Sequence, residues 1–148
     1  MTAHINKEIL IIGAGSTGLS AALFLADLGY TPRIIDKRNE PSKITKALGV
    51  NANSLKLLER SGVTNRFLQN GWKNSCMNIW SKDRLVYKND FSKTKHPYPF
   101  MLIQPQFETE RILEEALADR NIYVERGLSL EHLVAEKKST QIRKMISF

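Results

Sequence analysis

The sequence predicts an α/β fold built on a strand, helix, strand unit, and three observations carry that expectation. "KEILII" (residues 7–12) is a short apolar run ending at Gly13, the pattern of a strand buried on both faces of a parallel sheet. Leu19, Ala22, Leu23 and Ala26 then recur at helical spacing before Gly29, a helix stop. "TPRIIDKR" follows as a second strand, with Pro32 near its start where a missing N–H is tolerated. The unit spans residues 7–38.

Residues 39–51 are polar and contain Pro41 and Gly49, which reads as a loop. "NSLKLLERSGV" is a short helix with Asn53 or Ser54 as cap, Leu55 and Leu58 inward, and Gly62 at its end. "CMNIWS" and "RLVYKN", separated by Lys82 and Asp83, form a hairpin within residues 76–89, although the turn lacks the favoured Asn-Gly or Asp-Gly. Pro97, Pro99 and Pro105 bracket a short strand over Phe100–Ile103, which leads into a helix over about Phe107–Arg120. Glu108 and Glu110 sit near that helix's positive end, and Ile112, Leu113, Ala116 and Leu117 form its inward stripe. "NIYVERG" is a further strand. The remainder, "LSLEHLVAEKKSTQIRKMISF", reads either as two strands around Lys138–Thr140 or as a frayed end.

A chain of 148 residues holds one domain with a real core and leaves no room for a second full one. Its single cysteine, Cys76, cannot form an internal disulfide, and no Cys/His cluster has metal-ligand spacing, so a cytoplasmic protein without a metal site is expected. The uncharged run Ile9–Ala26 is broken by Gly13, Gly15 and Gly18, which argues for a buried strand, turn and helix over a signal peptide or membrane span. The net charge of +7 is uneven. Lys137, Lys138, Arg143 and Lys144 stand in the last stretch without an acid, and Lys82, Arg84, Lys88, Lys93 and Lys95 form a second basic run. Neither run accompanies a nucleic-acid recognition motif, so both read as solvated surface.

Gly13-x-Gly15-x-x-Gly18 lies between the first strand and the helix, the context in which this pattern binds a dinucleotide. Gly13 permits the tight turn, Gly15 removes a Cβ from the path of a pyrophosphate, and Gly18 lets helix and strand pack closely. Ala14, Ser16 and Thr17 complete the loop, whose N–H groups meet an anion at the positive end of the helix. Asp36, 18 residues after Gly18, ends the second strand, where a carboxylate accepts hydrogen bonds from both ribose hydroxyls. Together these predict a Rossmann-like FAD/NAD(P)-binding domain. Asp36 disfavours the 2′-phosphate of NADP, an effect softened by the adjacent Lys37 and Arg38. Spacing alone does not choose among FAD, NAD and NADP.

Three further stretches bear on that choice: "DKRNEPSKITKALGVNANSLKLLERSGV", "YPFMLIQPQFETERILEEAL" and "NIYVERGLSLEHL". Over residues 7 to about 135 the chain resembles the p-hydroxybenzoate and phenol hydroxylase-like FAD monooxygenases, "PQFETERIL" being the most specific part. The resemblance implies FAD with its adenosine on Asp36 and its pyrophosphate on Gly13–Gly18. It implies Gln106 near the flavin side, and Lys46 close to the pyrophosphate where the family usually has an arginine. A lysine keeps the charge and loses the forked geometry. Without the resemblance, Gln106 is a plain helix cap before Phe107 and Lys46 ordinary surface.

The implied activity is hydroxylation of a small aromatic substrate using NADPH or NADH and oxygen, with the hard chemistry carried by FAD. No residue here is identified as catalytic, and no oligomeric state is readable. Two FAD motifs of the family, an Asp-Gly segment and a Gly-Asp segment, do not follow Val134. The expectation is therefore an incomplete FAD-binding domain, inactive by itself, with residues 76–89 as a partial hairpin of a substrate domain and residues 137–148 as an atypical basic tail. Two alternatives stay open: a non-catalytic remnant or interaction module without flavin, and an NAD-binding reductase using Asp36.

Overall fold

A computed structural model describes residues 9–45, 48–136 and 139–147, with backbone alone from residue 134 onward. In chain order, β1 (Leu10–Ile12) leads through a glycine turn into α1 (Ser16–Asp27), and β2 (Arg33–Asp36) follows. α1 buries Leu19, Ala22 and Leu23 of the expected stripe, with Ala26 half-buried, and the chain leaves it at Gly29 with φ +87°. A two-residue strand, β3 (Gly49–Val50), lies inside the stretch expected to be all loop.

α2 (Ala52–Leu58) is capped by Asn51, whose side chain accepts from the Ser54 N–H at 2.9 Å. The expected cap at Asn53 or Ser54 is thus displaced, since both residues lie inside the helix. α3 (Thr64–Asn70) and β4 (Trp72–Asn74) were not expected from the sequence. Thr64, at the start of α3, donates its buried hydroxyl to the Leu55 carbonyl at 2.7 Å. Phe67 on α3 is fully buried.

β5 (Cys76–Ser81) and β6 (Arg84–Asp90) form the expected hairpin. Lys82 supplies the positive φ, +52°, that a two-residue hairpin loop demands. The register jumps from Ile79↔Tyr87 to Trp80↔Leu85, leaving Val86 as the extra residue of a bulge.

β7 (Met101–Ile103) enters α4 (Gln106–Ala118), which buries Ile112, Leu113, Ala116 and Leu117 as expected. Arg120 then donates to the Ala116 carbonyl and to Asp27, tying the end of α4 to the end of α1. β8 (Val124–Arg126) follows. β9 (Leu128–Glu136) and β10 (Ser139–Ser147) pair antiparallel, so the backbone takes the two-strand alternative, while Lys137, Lys138 and Phe148 lie outside the described residues.

The chain divides into two units, Met1–Lys43 with Leu113–Phe148, and Ile44–Ile112. In the first, β1, β2 and β8 form a parallel sheet in the order β1-β2-β8. Ile34 and Ile35 of β2, the central strand, are fully buried, as a strand covered on both faces should be. In the second, β7 is the centre of an antiparallel sheet ordered β3-β7-β4, and the β5–β6 hairpin stands as a separate sheet. Leu55, Leu58, Val63, Phe67 and Leu102 are buried there. Among the described residues, no helix is long and apolar enough to cross a membrane.

Candidate functional site

The site is built where β1 gives way to α1. Gly13 turns the chain at φ +101°, a conformation that costs other residues strain. Its N–H donates to the Ile35 carbonyl at 2.8 Å, which fastens the turn to β2. Gly18 lies on the first turn of α1, and a Cβ there would stand 2.0 Å from the Gly13 carbonyl oxygen and 3.2 Å from Cγ2 of Ile11. Only glycine lets the helix sit so close to the turn.

Gly15 differs. It precedes α1 at φ −85° and ψ 176°, extended angles open to any residue, and no side chain caps the helix. Backbone strain does not account for a glycine here, and it stands at the positive end of α1 beside the N–H groups of the first turn. Ser16 is half-buried and Thr17 exposed in that turn.

Asp36 ends β2 with only 5% of its surface exposed. Its Oδ2 accepts from the Ala14 N–H at 2.8 Å. Its Oδ1 accepts from the Arg38 N–H at 2.8 Å and from Arg38 Nε at 3.0 Å, and Arg38 Nη2 reaches Oδ2 at 3.1 Å. Burial pushes the carboxyl up. The hydrogen bonds from the Arg38 side chain, the Arg38 N–H and the Ala14 N–H, with the Arg38 charge, outweigh it and hold the group well below the usual carboxylate range. Asp36 is therefore a fixed anion at neutral pH.

The structure thus brings together Gly13–Gly18, Asp36 and Arg38 in the first unit. Lys37 is exposed beside them, and Lys46 lies outside the described residues. Gln106 belongs to the second unit. It is the first residue of α4 and not its cap, because the Pro105 carbonyl accepts the opening bonds from Glu108 and Thr109 at 3.0 and 3.2 Å. Its Nε2 donates to Glu110 at 2.8 Å, and Glu110 is 3% exposed. Of the two acids expected near the start of α4, only Glu108 lies in the first turn.

Sequence reasoning placed Arg38 beside Asp36 merely as a charge. Arg38 lies past the end of β2, where the chain bends and its own N–H turns back to Asp36, so strand periodicity gives no sign of the clamp. Among the described residues, no group of three or more His, Cys, Asp or Glu could hold a metal ion.

A cradle with a strained glycine turn, a glycine free of backbone cause, an uncapped helix start and a buried anion fits the ADP half of a dinucleotide. The sequence pattern of the FAD binding domain matches residues 6–144. The chain belongs to the FAD binding domain family.

This FAD binding domain is 33% identical over 114 residues to pentachlorophenol 4-monooxygenase of Sphingobium chlorophenolicum, covering 76% of this chain and 21% of that protein. It is 29% identical over 134 residues to rifampicin monooxygenase of Rhodococcus hoagii, covering 90% of this chain and 27% of that one. The domain therefore spans about a quarter of the length of these relatives. Among solved structures, OxyS anhydrotetracycline hydroxylase from Streptomyces rimosus superposes with a TM-score of 0.79 at 28% identity, over 90% of this chain and 27% of that one. The fold is that of the FAD-binding part of flavin monooxygenases.

Proposed function

We propose that this chain holds the ADP half of FAD in a flavin monooxygenase that hydroxylates an aromatic small molecule, with NADPH or NADH as electron donor. One observation carries the reading: the Ala14 N–H bonds directly to Asp36 at 2.8 Å, so the glycine turn and the acid form one preorganised unit. Gly15, Ser16, Thr17 and Gly18 receive the pyrophosphate at the head of α1, while Gly13 shapes the turn and Ala14 holds Asp36 through its N–H. Asp36 accepts the ribose hydroxyls, and the Ala14 N–H keeps its carboxylate oriented for them. Lys37 supplies positive charge beside the adenosine and Arg38 pairs with Asp36; the family resemblance assigns Lys46 to the pyrophosphate and Gln106 to the flavin side.

FAD, when bound, supplies the redox chemistry, and the protein's part is to bind and orient it. The family pattern supports FAD over a nicotinamide dinucleotide as the resident cofactor. The relatives described above are monooxygenases of pentachlorophenol and rifampicin, which supports an aromatic substrate. Purified chain incubated with FAD and desalted should retain yellow flavin and melt at a higher temperature. A folded chain that stays colourless and shows no thermal shift in excess FAD contradicts the reading.

A further inference from the structure

We propose that the Arg38 guanidinium is a placeholder for a ribose diol, holding the two acceptor positions on Asp36 that the hydroxyls take when nucleotide binds. The inference rests on the reading of Asp36 as the ribose acid and adds what must happen for it to act.

An ionised carboxylate offers about four acceptor positions, and on Asp36 four contacts fill them. Two come from backbone N–H groups, Ala14 on Oδ2 and Arg38 on Oδ1. Two come from one side chain, Arg38 Nε on Oδ1 and Nη2 on Oδ2. The backbone pair is fixed by the glycine turn and by the end of β2. The guanidinium is the part that can leave: the Arg38 side chain is 37% exposed, against 6% for Asp36.

A ribose presents two neighbouring hydroxyls, the only common sugar feature that replaces donors on both oxygens at once. A 2′-deoxyribose replaces one and leaves the other position of a buried anion unfilled. A 2′-phosphate brings no donor to that position and adds like charge. Arg38 thereby keeps Asp36 ionised and paired without nucleotide, and it makes a complete diol the condition for displacement.

Calorimetric titration of the 148-residue chain with ADP and 2′-deoxy-ADP, for wild type, Arg38→Ala and Arg38→Met, tests this. The methionine variant keeps the apolar stem in case the alanine variant folds poorly. With the competing guanidinium gone, both variants should bind ADP about fivefold tighter, the scale of a partly exposed ion pair. They should also melt at a lower temperature without ligand. These opposite signs separate a placeholder from a structural residue, which lowers unliganded stability and leaves ADP affinity unchanged, and from a direct nucleotide contact, whose loss weakens ADP. Wild type should bind 2′-deoxy-ADP about tenfold more weakly than ADP, as expected for one unfilled acceptor on a buried charge.

Equal or weaker ADP binding by the folded variants, with wild type binding normally, overturns the placeholder alone. Equal binding of ADP and 2′-deoxy-ADP by wild type overturns the diol requirement. No ADP binding by any folded chain overturns the functional reading and the placeholder together.

Discussion

The backbone N–H of Ala14 donates to Oδ2 of Asp36 across 2.8 Å, joining the turn after β1 to the end of β2 by one charge-assisted bond. Residues 22 positions apart in sequence are thereby set in a single arrangement. Three donors besides this N–H converge on the same carboxylate, all of them from Arg38.

Asp36→Asn turns an acceptor-only group into one whose amide faces N–H donors. Stability should fall by about 3 kcal/mol, the scale for breaking a buried charge-assisted cluster. Urea denaturation at pH 7 measures it.

The same variant gives a pH signature. A carboxyl held below the ordinary range contributes stability that is present in full above its unfolded pKa, about 3.9, and is lost as pH falls toward the folded value. The stability gap between wild type and Asp36→Asn should hold steady from pH 7 to about pH 5 and shrink as the pH falls below about 4. A gap that widens on acidification contradicts the hydrogen-bonded anion.

Two glycine substitutions should differ in size. Gly13→Ala meets open space and bears only the strain of φ +101°, about 1–3 kcal/mol. Gly18→Ala would put a Cβ 2.0 Å from the Gly13 carbonyl oxygen, so α1 must move. Its cost should exceed that of Gly13→Ala and reach about 3 kcal/mol or more. Thermal melts of the two variants rank them.

The Arg33–Glu125 and Arg126–Glu114 pairs give a third contrast. The Arg33 and Glu125 side chains are 49% and 41% exposed, so Glu125→Ala should cost less than about 1 kcal/mol. The Arg126 and Glu114 side chains are 15% and 27% exposed, and buried Nη1 of Arg126 has no hydrogen-bond partner. Removing Glu114 leaves that charge further uncompensated, and Glu114→Ala should cost about 2 kcal/mol or more. Denaturation at low and high salt should shrink the first effect and leave most of the second.

In the second unit, Thr64→Val removes the hydroxyl that ties α3 to the Leu55 carbonyl of α2, a 2.7 Å bond between groups away from water. Denaturation should show a loss of about 1–2 kcal/mol, with Thr64→Ser close to wild type.

The strand, helix, strand unit was legible because its determinants are backbone requirements that particular residue types advertise. Gly13 marks a positive φ, Gly18 a close approach, and Leu19, Ala22 and Leu23 a buried helical face. α4 was legible for the same reason, through Ile112, Leu113, Ala116 and Leu117. The cap of α2 was not, because "NANS" offers three capping residues within four positions, and only the path of the chain selects Asn51. α3 escaped because Thr64 spends its hydroxyl on α2 instead of on a cap, although Gly62 and Gly71 bracket the helix. β3 and β4 are too short to show alternation and exist through pairing with β7. In the site, Asp36 was legible as an acid at a strand end, whereas the Arg38 clamp depends on a side-chain conformation that periodicity does not encode.

The most direct measurement of the central claim, that these residues hold the ADP half of FAD, is displacement of FAD from the folded chain by its two halves. Flavin fluorescence should report release of FAD by ADP at concentrations where FMN has no effect, and Asp36→Asn should weaken ADP by about tenfold. Displacement by FMN with no response to ADP would contradict the account.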